Sequence, residues 1–84
     1  MKLNRSLAIS DNGFIFNPNT GDSFSVNDLG LSILQKIREG NSKKDIVAAL
    51  CADYNAEKSV IEKDMDEFLK VIRTHQLIEF NDEA

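Results

Sequence analysis

Residues 14–26 read FIFNPNTGDSFSV, two strand-like runs joined by a segment that is rich in turn-forming residues. Pro18 suits an early turn position because its ring restricts φ, and Gly21 can adopt the positive φ with which many turns end. In the second run serine alternates with apolar residues, as expected of a strand with one buried face. The stretch therefore predicts a β-hairpin with strands at about 13–17 and 22–26.

A further strand is predicted on the N-terminal side of this hairpin. Leu7 and Ile9 alternate with small residues, and the turn signal Asp11-Asn12-Gly13 follows them directly. We expect a strand at about 6–10 and, with the hairpin, a three-stranded antiparallel meander over about 6–26. Three short strands need a cover on one face before they are stable.

Helical periodicity after the meander supplies that cover. Asn27 or Asp28 caps a first helix that Gly40 ends, and Ser42, with Asp45 three residues later, starts a second one. The third and longest helix ends at about His75. The apolar positions with helical spacing are Leu29, Ile33, Leu34 and Ile37, then Ile46, Val47, Leu50 and Tyr54, then Ile61, Met65, Phe68, Leu69 and Ile72.

The expected fold class is α+β, an N-terminal three-stranded antiparallel β-meander followed by a three-helix bundle, in a winged-helix-like arrangement. The 84 residues suit a single domain, 1–84, with strands at about 6–26 and helices at about 28–75. Residues 77–80 could add a last extended segment. The acidic tail at 81–84 is expected to fray.

Composition restricts the classes of partner. The formal net charge is −4, with 10 basic and 14 acidic residues, which weighs against a phosphate backbone as the main partner. No apolar run approaches the ~20 residues that a membrane span requires. A single cysteine, Cys51, fits a reducing compartment. We therefore expect a cytoplasmic protein that binds neither nucleic acid nor membrane.

Catalysis is not favoured by the reactive side chains. Ser23 would need a base to become a nucleophile, and the single histidine, His75, lies at the far end of the third helix. Ser23 as the attachment site of a carrier protein is disfavoured because its flanks are strand-like, whereas carriers are helical. Cys51 and His75 are two ligands where structural zinc takes four. We expect no catalytic residue, metal or cofactor.

The strand at 22–26 is the candidate binding element. It would lie at the edge of the meander, and it contains neither the Lys nor the Pro that usually protect an edge. An extended peptide can add to such an edge, with main-chain hydrogen bonds giving affinity. Two alternatives stay open, in which a helix or a second copy of the chain covers the edge. In the second case the protein would be a homodimer through this strand.

From Phe24 onward the sequence resembles the PqqD family of small peptide chaperones. These are also called RiPP recognition elements and hold the precursor peptides of ribosomally made natural products. The segments that carry the resemblance are FSVNDLGLSILQKIREGNSKKDIVAALCADYN and IEKDMDEFLKVIRTHQLIEF. The matching positions are Val26-Asn27, Ile33, Leu34, Ile37 and Gly40, Ile46, Leu50 and Tyr54, Asp64-Met65, Phe68-Leu69, and Leu77-Ile78. Two positions depart from the family pattern: Gln76 replaces a glycine, and the first helix lacks an aromatic residue.

The resemblance implies a non-catalytic protein that holds the leader region of a precursor peptide antiparallel to the third strand, against the third helix. It also implies a partner enzyme that modifies the peptide, such as a radical-SAM enzyme. The residues that would bind the peptide are Ser23, Phe24, Ser25 and Val26 on the edge and Asp64, Glu67, Phe68 and Val71 on the helix. Periodicity alone also allows Phe68 to be purely a core residue. The alternative function is a winged-helix DNA-binding or transcription-associated domain, which would need a basic third helix.

Overall fold

The predicted strands and helices follow one another in the predicted order in the computed structural model, which describes residues 2–79, and one further strand precedes them. The elements are β1 (Lys2–Leu3), β2 (Ala8–Ile9), β3 (Phe14–Asn17), β4 (Asp22–Ser25), α1 (Asp28–Arg38), α2 (Lys43–Tyr54), α3 (Lys58–Thr74) and β5 (Ile78–Glu79). The predicted α+β class, three antiparallel strands followed by three helices, is confirmed.

The meander has the order β2-β3-β4 with antiparallel neighbours. Ile15 is paired with Phe24 and points towards the helices, whereas Phe14 and Phe16 lie on the outer face with 49% and 41% of their surface exposed. The strand β2 is shorter than the predicted 6–10. Its first residues form a turn instead, in which the N–H of Ser6 donates to Asn4 Oδ1 at 2.9 Å and the N–H of Leu7 donates to Asn4 O.

A second, two-stranded sheet joins the chain ends within the described residues. Leu3 in β1 is paired with Ile78 in β5, and both side chains are buried. The last extended segment predicted at 77–80 is thus present as β5, whereas its partner β1 was not predicted, because two-residue strands show no periodicity. Phe80 and the predicted acidic tail at 81–84 lie outside the described residues.

The helix ends follow the predicted capping residues. Asn27 Oδ1 accepts the N–H of Gly30 at 2.9 Å, and Ser42 Oγ accepts the N–H of Asp45 at 3.2 Å. Gly40 follows α1 with a φ of 91°, the left-handed conformation that closes many helices. These contacts satisfy donors and acceptors that the helix ends would otherwise leave unpaired.

The core lies among the three helices, the sheet of β1 and β5, and the inner face of the meander. Its buried side chains are Leu3, Leu7, Ile15, Ile33, Leu34, Ile37, Ile46, Val47, Leu50, Ile61, Met65, Leu69, Ile72, Leu77 and Ile78. The prediction that Tyr54 belongs to the apolar face of the second helix is wrong, since 45% of its surface is exposed. It is the last residue of α2, where Asn55 turns the chain away with a φ of 50°. No helix within residues 2–79 is both long and apolar enough to cross a membrane.

Candidate functional site

The strand β4 lies at the edge of the meander and is paired on one side only among the described strands. The N–H of Val26 donates to Gly13 O at 2.8 Å, towards β3. Backbone groups alternate in direction along an antiparallel strand. The N–H and C=O groups of Phe24 therefore also point towards β3, while those of Ser23 and Ser25 point away from it. Two residues of β4 therefore present their N–H and C=O groups to the open side.

The side chains of β4 divide between the two faces of the sheet. Ser23 and Ser25 are exposed, as predicted, whereas Phe24 is half-buried and packs against the core. The Phe24 ring also contacts the His75 ring, with 4.6 Å between centroids and an interplanar angle of 53°. This contact holds the edge strand against the C-terminal end of α3.

A groove of about 380 Å³ lies between the start of α1 and one face of α3. Its lining residues are Asn27, Leu29, Gly30, Ile33, Asp64, Glu67, Phe68 and Val71. The four α3 residues predicted from the sequence are thus brought together, because positions 64, 67, 68 and 71 have the spacing of one helix face. None of residues 23–26 is part of this lining, so the edge and the groove are two distinct parts of the candidate site.

Gly30 joins the two parts. A Cβ atom at this position would lie 2.9 Å from Phe68 Cε1 and 3.1 Å from Val26 Cβ. The missing side chain therefore lets the Phe68 ring lie directly against the backbone of α1, beside the residue that follows β4. Phe68 is half-buried, packs against the core and lines the groove, so it contributes to both.

The charge of the groove is negative. Asp64 and Glu67 are exposed on its α3 side, and no Lys or Arg is among its described lining residues. The ion pairs Lys36–Asp53 and Lys43–Asp66 involve other carboxylates. The open carboxylates make the groove suited to an apolar ligand that carries a positive charge near α3.

Sequence reasoning missed the α1 side of the groove, formed by Asn27, Leu29, Gly30 and Ile33. Gly30 was the available signal, since a glycine in a helix costs about 1 kcal/mol relative to alanine and indicates a close approach of another group. Periodicity alone could not identify which group approaches it.

The side chains considered for catalysis or metal binding lie in α2, in β4 and at the C-terminal end of α3. Cys51 is in α2, half-buried against the core. Ser23 is paired with Phe16 on the outer face of the sheet, and His75 contacts Phe24. Within residues 2–79 no three or more His, Cys, Asp or Glu side chains are grouped so that they could hold a metal ion.

Comparisons with known proteins concern the family and the fold of the chain. The family model described as Coenzyme PQQ synthesis protein D (PqqD) matches residues 13–78, from the start of β3 into β5. A solved structure, TbiB1 in complex with the TbiA(beta) leader peptide, superimposes with a TM-score of 0.86 at 28% identity. The alignment covers 98% of this chain and 100% of that one. The comparison with curated proteins gave no significant match.

Proposed function

The chain belongs to the PqqD family, and on that premise we propose that it is a non-catalytic adaptor that binds the leader region of a ribosomally made precursor peptide and presents it to a modifying enzyme. The observation that carries this proposal is the open β4 edge beside the groove of α1 and α3. The similarity to TbiB1, which was solved with a leader peptide, supports it over nearly the whole chain.

In the proposed complex the peptide adds to the meander as a further antiparallel strand along β4. The outward N–H and C=O groups of Ser23 and Ser25 would form the main-chain hydrogen bonds. Small exposed side chains at both positions leave room for the incoming backbone. Phe24 and Val26 would hold the strand in place from its inner side, since both pack against the core and the Phe24 ring contacts His75.

Hydrogen bonds along the β4 edge do not by themselves supply the free energy that micromolar peptide binding requires. Four of them, at about 0.5–1.5 kcal/mol each, contribute about 2–6 kcal/mol. A micromolar dissociation constant requires about 8 kcal/mol, and the peptide also loses conformational entropy on binding. Each apolar side chain buried in the groove would add about 1.5–3 kcal/mol, so burial in the groove has to supply a large part of the binding free energy. The groove residues Asp64, Glu67, Phe68 and Val71 are therefore an essential part of the proposed site.

The groove charge predicts the chemistry of the peptide. Asp64 and Glu67 would attract a Lys or Arg residue that follows or precedes the buried apolar residue. The same carboxylates disfavour the alternative of a winged-helix DNA-binding domain, because they would repel the phosphate backbone from this face of α3.

The peptide-modifying enzyme, a radical-SAM enzyme being one candidate, would receive the peptide from β4 in the cytoplasm. A second copy of the chain could pair through the same edge, and such a homodimer would compete with the peptide because both need Ser23 and Ser25.

The proposal is tested with the labelled leader region of the precursor peptide that is encoded beside the gene for this chain. We expect saturable binding by fluorescence anisotropy, with a dissociation constant in the micromolar range or tighter. A peptide of the same composition in scrambled order is the control. Equal binding of both peptides, or of neither, would contradict the proposed function.

A further inference from the structure

Several basic residues of this acidic protein converge at the start of α2. A cavity of about 540 Å³ between the α1–α2 turn and α3 is lined by Lys43, Lys70 and Arg73, with Leu69 contributing apolar surface. The formal net charge of the whole chain is −4, so a positive region of this kind is a local departure from the overall charge.

A second basic cavity adjoins the first. Its volume is about 410 Å³, and Lys2, Arg5 and Arg38 line it beside β1. Gly40 lines both cavities, so they meet at the α1–α2 turn. We call the lining of the two cavities the basic surface.

Carboxylates are sparse in the lining of the basic surface. Asp66 is the one acidic residue among the described residues that line either cavity, and it forms an ion pair with Lys43. Lys2, Arg5 and Arg38 line the second cavity, and no carboxylate is among the described residues of that lining. A negatively charged partner would complement this charge.

This surface and the groove lie on different faces of α3. Residues 64, 67, 68 and 71 line the groove, whereas residues 66, 69, 70 and 73 line the first basic cavity. At 3.6 residues per turn the centres of these two sets are separated by about 160° around the helix. One ligand can therefore occupy the groove while another occupies the basic surface.

We propose that the basic surface is a docking site for an acidic segment of a partner protein. The cavities are concave, and Leu3, Ile37 and Leu69 line them alongside the cations. A protein segment with alternating carboxylates and apolar side chains matches both features, whereas a phosphate backbone matches only the charge. This inference does not depend on peptide binding at β4.

The test uses the ¹⁵N-labelled chain and the probe peptide acetyl-Glu-Glu-Leu-Glu-Glu-Leu-Glu-Glu-amide. We expect chemical-shift changes at the residues of the basic surface and none at the groove. The variant Lys70→Glu should weaken binding about five- to tenfold by reversing one charge in the surface. Lys58→Glu is the matched control, since it makes the same charge change on the same helix but lines neither cavity, and we expect less than about a twofold effect.

Three results would overturn the proposal. The first is the absence of shifts at the basic surface at saturating concentrations of the probe. The second is equal weakening by both variants, which would attribute binding to net charge alone. The third is tighter binding of a single-stranded oligothymidine of matched charge, which would assign the surface to nucleic acid.

Discussion

Gln76 lies just after the end of α3, in a conformation that glycine adopts more easily. Its φ is 61°, and the N–H of the next residue, Leu77, donates to Ile72 O at 2.8 Å. This hydrogen bond and the burial of Leu77 are features of a helix end that turns through a left-handed residue. The sequence already marked position 76 as a departure from the family glycine, and the structure gives the physical reason why glycine would suit it.

The variant Gln76→Gly should therefore be more stable. Removing the side chain relieves the left-handed strain, and we expect a gain of about 0.5–1 kcal/mol and a rise of several degrees in Tm. Thermal unfolding followed by circular dichroism measures the change. Asn55→Gly is the control, because asparagine tolerates a positive φ and should gain less. Equal gains in both variants, or none at position 76, would contradict this explanation.

Substitution of Gly30 has two opposing effects on stability, one from helix propensity and one from the close contact with Phe68. An ordinary Gly→Ala change inside a helix stabilises by about 1 kcal/mol. At position 30 the new Cβ would lie 2.9 Å from the Phe68 ring, and such overpacking costs about 1–3 kcal/mol.

We expect Gly30→Ala to lower the free energy of unfolding by about 1 kcal/mol. It should also weaken peptide binding, since displacing the Phe68 ring narrows the groove. Chemical denaturation and the anisotropy assay measure the two effects separately. A Gly30→Ala variant that is more stable than the parent would show that Phe68 moves aside without cost.

The strand β4 allows its outward hydrogen bonds to be tested without loss of the sheet. The N–H of Ser25 faces away from β3, so a proline at this position removes no described bond of the ladder. It removes one donor for an added strand, and its ring obstructs the incoming backbone.

Ser25→Pro should reduce affinity for the leader peptide at least about tenfold, while Tm falls by only a few degrees. Ser25→Ala keeps the N–H and is the control, for which we expect affinity close to that of the parent. Retained affinity in Ser25→Pro would exclude strand addition at this position.

The elements differ in how far the sequence could predict them. The hairpin at 14–26 and the caps at Asn27 and Ser42 depend on neighbouring residues, so local patterns were sufficient. The pairing of β1 with β5 depends on contact between the chain ends and leaves no pattern in two-residue strands. The α3 side of the groove was predicted through the family resemblance. Its α1 side, which adjoins Phe68 at Gly30, was not predicted, because that contact joins residues far apart in the sequence.

At the scale of the whole molecule, the fold separates charges that are interspersed in the sequence. Lys2 and Lys70 lie far apart in the chain but line adjoining cavities, and Asp64 and Glu67 face the groove on another side of α3. This separation is invisible in the net charge of −4.

The charge of the groove predicts how peptide binding responds to salt. Glu67→Lys should weaken binding of a leader peptide that carries Lys or Arg by about five- to tenfold, and it should flatten the salt dependence of affinity, since exposed charges are screened over about 8–10 Å. Anisotropy titrations at low and high salt measure both effects. Glu62→Lys, which makes the same change on α3 outside the groove lining, is the control. Equal effects at positions 62 and 67 would contradict the proposal that the groove carboxylates attract a basic residue of the peptide.

Amide hydrogen exchange at β4, in the free and peptide-bound protein, tests the central claim most directly. In the free protein Phe24 should already be protected by its pairing with Ile15, whereas Ser23 and Ser25 should exchange rapidly. With the leader peptide bound, we predict that exchange at Ser23 and Ser25 slows at least about tenfold, because their N–H groups become paired. Peptide binding that leaves exchange at both serines unchanged would contradict strand addition at β4.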